Sequence, residues 1–235
     1  MVGMLRKRSG FTLVEILVAL ALAGIVSAAV YNVYISQNKS YAVQDRVAEM
    51  QQNLRAANYM MRREIMMAGY NPLKATGVGI VSASATQLQF RMDITGGEAD
   101  GLDNDQDGLV DEEGESDGDA VDTNEDITYQ LDEGNLERND QVLAENIDAL
   151  NFVYLDAGGD FLDLVTTPGD ITEIRSIQLS LVARADFGDP DYTNNNPYKN
   201  QQGDDLVLYM STNPPNDNFR RRLLTSHIRC RNLGL

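Results

Sequence analysis

The sequence predicts an α+β fold in which one long amino-terminal helix packs on an antiparallel β-sheet. Residues 11–30 are almost entirely apolar, and residues 32–68 contain neither glycine nor proline. Beyond Pro72 the pattern changes to short runs of strand-forming residues bounded by small polar ones. The 235 residues leave room for this helix and one globular domain of ordinary size.

The apolar run from Phe11 to about Val30 has the length of a membrane-spanning helix. At about 1.5 Å per residue, roughly 20 residues form a rod of about 30 Å, enough to cross the hydrocarbon core of a bilayer. Arg6, Lys7 and Arg8 stand immediately before it. Basic flanking residues stay on the cytoplasmic side, so the polar remainder is predicted to lie across the membrane, in the periplasm or outside.

Glu15 is the one charged residue in the apolar run. A carboxylate inside a membrane helix costs about 2.5 to 3.5 kcal/mol on insertion scales and usually marks a function. Cleavage between Gly10 and Phe11 would create a cationic α-amino group on Phe11, one helical turn from Glu15. We expect that amine, from this chain or a neighbouring one, to pair with Glu15.

Residues 10–15 read Gly-Phe-Thr-Leu-Val-Glu, between a short basic leader and the apolar helix. This arrangement resembles the class III signal of type IV pilins and type II secretion pseudopilins. The resemblance implies that a prepilin peptidase cuts after Gly10 and methylates Phe11, and that Glu15 aligns each subunit with its neighbour. It also implies a pilin-like fold, an inner-membrane stage in a Gram-negative bacterium, and assembly with other pilins into a filament.

An ordinary secretory signal is the alternative reading of the amino terminus, with a small-residue cleavage site at 19–21 or 27–29. Such a signal requires neither a glycine before the apolar run nor a glutamate inside it. The presence of both, in this order, favours the pilin-type signal.

The chain is predicted to divide into a leader at 1–10, a membrane and filament-core helix at 11–35, its amphipathic continuation at 36–69, and a β-rich head at 70–235 that contains an acidic calcium-type loop at 95–126. Apolar residues recur at spacings of three and four along the continuation. They are Val47, Met50, Leu54, Ala57, Met61, Ile65 and Ala68. Gly69 and Pro72 are typical of a helix end, so the helix is predicted to run from Phe11 to Ala68.

Strands are predicted at 79–81, 88–92, 127–131, 149–155, 174–185, 206–210 and 223–229. The 174–185 run alternates most clearly, and one of its faces is expected to pack against the helix. Residues 186–205 are rich in Asn, Asp, Gly and Pro and are interpreted as an exposed loop. Cys230, the single cysteine, is predicted to be a buried strand residue, which leaves no intramolecular disulfide.

Three later segments resemble the minor pilins of the PilW kind. They are Ile-Thr-Tyr-Gln-Leu at 127–131, Leu-Ala-Glu-Asn-Ile at 143–147 leading into 150–154, and Arg-Asn-Leu at 231–233. This resemblance implies a minor pilin in the initiating or tip complex of a pilus. The J-type minor pseudopilin of type II secretion is a close alternative, and the gene neighbourhood would separate the two.

The acidity of the chain is local. Of the 36 acidic residues, fifteen fall between Asp93 and Asp126, where no Lys or Arg occurs. The formal charge is −17, so the rest of the chain carries −2. Positive and negative charges nearly balance outside this stretch, so no extended basic patch is predicted and no nucleic-acid partner is expected.

Residues 103–111 reproduce the first nine places of a calcium loop, with the sharp turn supplied by Gly108. Position twelve, normally a bidentate Glu, is Gly114, so the last ligand falls to Glu112, Glu113 or Glu115. The candidate Ca²⁺ ligands are Asp103, Asp105, Asp107, the carbonyl of Leu109, Asp111 and Glu113. A solvated acidic spacer is the alternative. Magnesium is disfavoured because it prefers to keep its waters.

Two classes of function remain: a structural subunit of a pilus-like filament, and a membrane-anchored enzyme that uses its carboxylates. Paired carboxylates can hydrolyse glycosides. Here they lie in a low-complexity stretch without neighbouring aromatic residues, and His227 has no second His or Cys to complete a catalytic or metal pattern. No enzymatic activity is predicted. A calcium-dependent adhesin at a filament tip is compatible with the first class.

Overall fold

A computed structural model describes residues 10–71, 77–94, 124–163, 168–209 and 211–234. These ranges contain one α-helix, one short 3-10 helix and nine strands. The helices are α1 (Leu13–Met67) and the 3-10 helix Pro168–Glu173. The strands are β1 (Gly79–Ala83), β2 (Gln87–Arg91), β3 (Asp126–Asp132), β4 (Asn135–Arg138), β5 (Gln141–Ala144), β6 (Ile147–Leu155), β7 (Phe161–Leu162), β8 (Ser176–Arg184) and β9 (Arg221–Arg229).

The strands form two antiparallel sheets. One has the order β1-β2-β3-β4-β5 and the other the order β7-β6-β8-β9. Strands β6, β8 and β9 are the longest, and β8 pairs with β9 from Ser176↔Arg229 to Arg184↔Arg221. The predicted α+β class, with a long amino-terminal helix on antiparallel sheet, is confirmed.

The chain divides into two compact units, residues 1–45 and 46–235. The core of the second unit forms between the later turns of α1 and both sheets. Met61 and Ile65 of α1 are fully buried in it, with Phe90 and Ile127 of the first sheet and Leu179 of the second. The predicted apolar stripe is confirmed, since its members from Met50 to Ala68 are buried and Val47 is partly buried against them. Spacings of three and four place them on one helix face.

A second, smaller cluster lies outside the main core. Ala149 of β6 and Val182 of β8 are buried with Tyr198, Leu206 and Leu208. Strand β8 is therefore buried on both faces rather than on one. The interpretation of 186–205 as an exposed loop is wrong for Tyr198 and for Asn194, which is fully buried. We call residues 186–209 and 211–220 the covering segment. Its side chains Tyr198, Leu206 and Leu208 cover the sheet, whereas Phe187 and most of its polar side chains remain in water.

Most of the predicted strands are present, with differences at three places. Residues 206–210 form no strand among the described residues; Leu206 and Leu208 are buried as anchors of the covering segment. Strands β4, β5 and β7 were not predicted. Cys230 is buried, as predicted, but lies just after β9.

Two turns explain how the short strands β4 and β5 form. Glu133 and Gly134 between β3 and β4 have φ of 45° and 81°, and Asn139 and Asp140 between β4 and β5 have φ of 50° and 59°. Two consecutive residues with positive φ make a type I′ turn, whose twist matches that of paired strands.

The carboxyl-terminal residues close over the end of α1. The side-chain amide of Asn232 donates to the backbone carbonyls of Met66 and Met67, both at 3.4 Å. Both carbonyls lie in the last turn, where the helix itself supplies no donor, and the Met67 carbonyl also accepts from the Tyr70 backbone N–H at 2.8 Å. Gly69, with φ of 79°, turns the chain out of the helix, and its N–H donates to the carbonyl of Arg91 at 3.0 Å. The helix ends at Met67, one residue before the predicted end.

We expect Gly69→Ala to lower the free energy of unfolding by about 2 kcal/mol or more, because a left-handed conformation alone costs an L-residue about 1–2 kcal/mol. A Cβ at Gly69 would also lie 2.5 Å from Leu233 Cδ2. Gly159→Ala is the matched control, since Gly159 has φ of 87° but nothing within 4 Å of the added Cβ. Chemical denaturation gives the loss in free energy of unfolding for each variant, and the difference between the two losses is the cost of the contact with Leu233. Equal losses would show that this contact costs nothing.

Candidate functional site

The predicted processing and assembly residues lie at the start of α1. Gly10 and Phe11 are exposed, with Phe11 86% accessible, and they precede the helix. Thr12 is the residue immediately before the first helical residue, Leu13. Both residues of the predicted cleavage bond are therefore accessible and lie outside the helix.

Thr12 and Glu15 form a capping box. The Thr12 backbone N–H and hydroxyl donate to Glu15 Oε2 at 2.8 and 2.9 Å, and the Glu15 N–H donates to Thr12 Oγ1 at 3.3 Å. These bonds satisfy backbone donors that the first turn of a helix leaves without partners. Glu15 therefore has a local structural role that was not predicted, although the spacing Thr-x-x-Glu could have indicated it.

The capping box leaves acceptor capacity on Glu15. An ionised carboxylate has about four lone-pair sites, and the two bonds from Thr12 both go to Oε2. The Thr12 N–H already contacts this carboxylate. After cleavage, the α-amino group of Phe11 would belong to the residue next to Thr12 and would therefore be close to the carboxylate. Pairing between Phe11 and Glu15 after cleavage remains a prediction.

The helix that follows exposes a continuous apolar surface. Leu13, Val14 and Leu20 are each more than 60% accessible, as are Ile25 and Val30. Among the described residues, α1 is the one helix long and apolar enough to cross a membrane, with a mean hydropathy of 2.5 over its most apolar window. An apolar surface of this size is expected to be covered by lipid or by other helices.

The candidate calcium ligands, Asp103, Asp105, Asp107, Leu109, Asp111 and Glu113, all lie outside the described residues. The nearest described residues are the half-buried Ile94 and the exposed Asn124, and next to them Asp93 and Glu125 are buried. Ile94 N–H donates to Glu125 Oε1 at 2.7 Å, and Met92 N–H donates to the Glu125 carbonyl at 3.2 Å. These bonds continue the pairing of β2 with β3, so the acidic segment is an insertion between two paired strands.

No calcium site can be assigned from the described part of the chain. No group of three or more His, Cys, Asp or Glu side chains there is arranged to hold a metal ion. Calcium binding by 103–113 therefore remains a prediction from the sequence.

A buried ionic group joins α1 to the five-stranded sheet. Glu64 accepts a hydrogen bond from the Tyr129 hydroxyl at 2.5 Å and pairs with Arg138 Nε at 3.0 Å. Burial, and then the Glu64 carboxylate, raise the pKa of Tyr129 well above its ordinary value, so it remains a donor. Glu64 is polar within an otherwise apolar face, and these two partners account for its burial.

A second ionic group ties the covering segment to the four-stranded sheet. Arg221, whose side chain is 1% accessible, donates from Nε to Asp148 and from Nη1 and Nη2 to Asp217 at 2.6 and 2.7 Å. Arg184 Nε lies 3.4 Å from the other oxygen of Asp148. Arg184 and Arg221 both stack on Phe219, at 4.8 and 5.9 Å from its ring centre.

The two carboxylates of this group respond differently to their surroundings. Burial raises the pKa of Asp148 despite its bonds to Arg221. Burial also acts to raise the pKa of Asp217, but the hydrogen bonds from Arg221 outweigh it and the pKa of Asp217 is lowered. Both carboxylates are used in fixing Arg221, and this group is best described as structural.

Comparison with known proteins gives one family match, to the prokaryotic N-terminal methylation motif, over residues 5–31. The match contains Gly10, Phe11 and Glu15. The chain therefore carries the type IV prepilin signal, as the sequence predicted, and this signal implies processing by a peptidase and assembly with other pilins. No curated protein matches the chain.

Among solved structures, the chain is similar to a type IV-like pilin from Thermus thermophilus. The two are 18% identical, with a TM-score of 0.46, and the match covers 78% of this chain and 98% of the other.

Proposed function

We propose that this protein is a minor pilin of the PilW kind, processed after Gly10 and assembled through α1 in the initiating or tip complex of a type IV pilus. The observation that carries the proposal is the prepilin signal at residues 5–31, followed directly by a helix with an exposed apolar surface. Before assembly the helix anchors the chain in the inner membrane, with the head in the periplasm of a Gram-negative cell. The role is structural rather than catalytic.

Glu15 is the residue that distinguishes this proposal from simple membrane anchoring. We expect Glu15→Ala to insert into the membrane at least as well as the wild type, because a costly buried charge is removed. Its incorporation into filaments should fall at least tenfold, because the carboxylate that pairs with the cationic amine of Phe11 is removed. Immunoblots of sheared filaments and of membrane fractions measure the two steps separately.

Two further variants separate the charge of Glu15 from its capping role. Glu15→Gln keeps a side chain that can close the capping box but removes the charge, so it should fail to assemble as Glu15→Ala does. Thr12→Val removes the hydroxyl of the capping box and keeps the charge, so assembly should be largely retained. Normal incorporation of Glu15→Gln would contradict the assigned role. A defect in insertion alone would make Glu15 a topology signal.

We also propose that the segment 103–113 binds calcium. Its carboxylates repel one another without the ion, and a divalent cation reverses that balance. The supporting features are the calcium-loop spacing and the paired strands β2 and β3, which hold the two ends of the segment together.

We expect calcium to raise the melting temperature of the chain, with about 2.7 kcal/mol of stabilisation at a free concentration 100 times the dissociation constant. Asp105→Ala and Asp107→Ala should abolish this gain and leave the stability in chelator almost unchanged. Asp132→Ala, an exposed aspartate outside the segment, should keep the gain. If melting is equal in calcium and chelator and no heat of binding is seen at millimolar calcium, the segment is an acidic spacer.

A further inference from the structure

Strand β9 is an edge of the four-stranded sheet. Its one strand partner among the described residues is β8. An edge strand presents backbone donors and acceptors that can receive another chain. One of these acceptors, the Ser226 carbonyl, accepts from the side chain of Gln201 at 3.1 Å.

Helix α1 lies alongside this edge. The Ser226 hydroxyl donates to Asn58 Oδ1 at 2.7 Å. Arg55 and Arg62 are three residues before and four residues after Asn58, so they lie on the same face of the helix. The helix face and the strand together form one surface, which we call the β9 edge.

The β9 edge is positively charged and lacks acidic groups. It carries five exposed arginines, which are Arg55, Arg62, Arg222, Arg229 and Arg231. Residues 50–63 and 218–235 contain no Asp or Glu. Within the described residues none of the five makes an ion pair, and the side-chain bond from Arg55 to Gln51 is long, at 3.4 Å.

The other arginines of the β-sheets contrast with these five. Arg91, Arg138 and Arg184 each lie beside a carboxylate, as do Arg220 and Arg221. Within the described residues these five arginines are neutralised by carboxylates, whereas the five of the β9 edge are not. Arg222 lies on the face of β9 that carries Ser226, and Arg229 lies on the opposite face, so unneutralised charge flanks both sides of the edge. Surface arginines of this kind favour an anionic partner that can make several bidentate contacts.

The sequence contains one long stretch of complementary charge. Residues 93–126 hold fifteen acidic residues and no Lys or Arg. Four of them, Glu113, Glu115, Asp117 and Asp119, stand at every second position. In an extended chain they would span about 20 Å.

We propose that the β9 edge binds the acidic segment of a second copy of this chain. A second copy is favoured over the same chain because the segment is inserted between β2 and β3 of the five-stranded sheet, whereas β9 belongs to the other sheet. The observation that carries the proposal is the complementary charge of the β9 edge and the acidic stretch of the same sequence. The proposal goes beyond a role as a pilin and does not rest on it, because binding can be measured outside a filament.

The test is a titration of the full chain, in detergent micelles and chelator, with a fluorescent peptide of residues 108–123. Chelator keeps calcium from the carboxylates. We expect saturable binding that weakens at least tenfold between 0.05 and 0.5 M NaCl, since exposed charges are screened. A peptide with Asn and Gln in place of Asp and Glu should not bind.

Arginine variants locate the site. Arg229→Glu with Arg231→Glu should weaken binding at least tenfold. Arg55→Ala with Arg62→Ala, which leaves β9 intact, should weaken it at least threefold. Arg63→Glu is the matched control, because Arg63 is exposed on α1 but points away from the Asn58 face, and it should change the dissociation constant less than twofold. A peptide with Lys at 113, 115, 117 and 119 should bind the Arg229→Glu, Arg231→Glu protein better than the wild type.

Several results would overturn the proposal. They are no binding by the wild-type chain, equal binding of the uncharged peptide, or equal effects of Arg63→Glu and the paired variants. The acidic residues at 113, 115, 117 and 119 can also be replaced by Gln and Asn within the protein. If that change tightens peptide binding tenfold or more, the acidic segment binds the β9 edge of its own chain and not that of a second copy. If phosphatidylglycerol vesicles bind the edge and the peptide does not displace them, the partner is a lipid surface.

Discussion

Arg221→Leu is expected to lower the free energy of unfolding at pH 7 by about 3–5 kcal/mol, the usual cost of removing one partner of a buried ion pair. The substitution leaves Asp148, 1% accessible, with Arg184 at 3.4 Å as its remaining cation. It also removes the two bonds from Arg221 to Asp217, which are one of the links between the covering segment and the sheet. Urea denaturation of the chain in detergent measures the loss.

The loss should depend on pH. Burial already raises the pKa of Asp148 in the folded chain. A carboxyl whose folded pKa lies above its unfolded value contributes stability below the unfolded pKa and loses it as pH rises through the folded pKa. Without Arg221 the folded pKa of Asp148 rises further, so the defect should shrink as pH falls from 7 toward 4.

Two variants test this explanation. Arg221→Leu combined with Asp148→Asn should recover stability relative to Arg221→Leu alone, because no charge remains buried at residue 148. Arg222→Leu, the exposed neighbour on the same strand, should change stability by less than about 0.5 kcal/mol. An Arg221→Leu loss as small as that of Arg222→Leu would mean that the buried ions do not fasten the segment.

Gly10→Val is expected to abolish maturation. Gly10 is exposed, and an added Cβ meets no atom within 4 Å, so the folded chain tolerates a side chain there. A defect must then arise in recognition by the prepilin peptidase. Mass spectrometry should find the wild-type amino terminus at N-methylated Phe11 and the variant at full length, with filaments absent when the variant is the sole copy.

Gly24→Ala controls for glycine replacement, because its Cβ would also meet nothing within 4 Å and it lies beyond the processing site. It should be cleaved and methylated normally. Normal filaments built from demonstrably uncleaved Gly10→Val chains would disprove the need for cleavage. A wild-type terminus within 19–29 would instead identify an ordinary secretory signal.

The fold was predictable where one physical pattern acts over many residues. The apolar stripe of α1 repeats every three or four residues, and only a helix places such residues on one face. Strands β4 and β5 are four residues each, which is too short for a periodic pattern to stand out, and β4 has Leu136 as its one apolar residue. Their type I′ turns were the usable signal, although the Asn-Asp pair at 139–140 is less typical than Asn-Gly.

The wrong strand at 206–210 has a different origin. Leu206 and Leu208 are buried because the covering segment is held by side-chain amides. Asn213 donates to the carbonyls of Tyr198 and Leu206 at 2.6 and 3.0 Å. Asn194 donates to the Tyr198 hydroxyl and the Phe219 carbonyl, both at 3.0 Å. Side-chain bonds of this kind replace a strand ladder and leave no periodic trace in the sequence.

The site residues divide in the same way. The prepilin signal that contains Gly10, Phe11 and Glu15 was predictable because it is made of adjacent residues. The processing and pairing roles of these residues remain predictions. The burial of Arg221 was not predictable. Arg221 stands between Arg220 and Arg222 in a basic run, and its burial depends on Asp148, which is distant in sequence. The calcium ligands remain predicted from spacing alone.

The attachments of α1 to the head also determine how the protein bears tension. Glu64 links the helix to β3 and β4, whereas Asn58 and the carbonyls of Met66 and Met67 link it to β9 and the residues after it. A pull along the helix is therefore shared among these polar attachments and the buried apolar stripe of α1. Forced detachment is governed by the unfolding rate, and load sharing of this kind slows it more than any one of these bonds could alone.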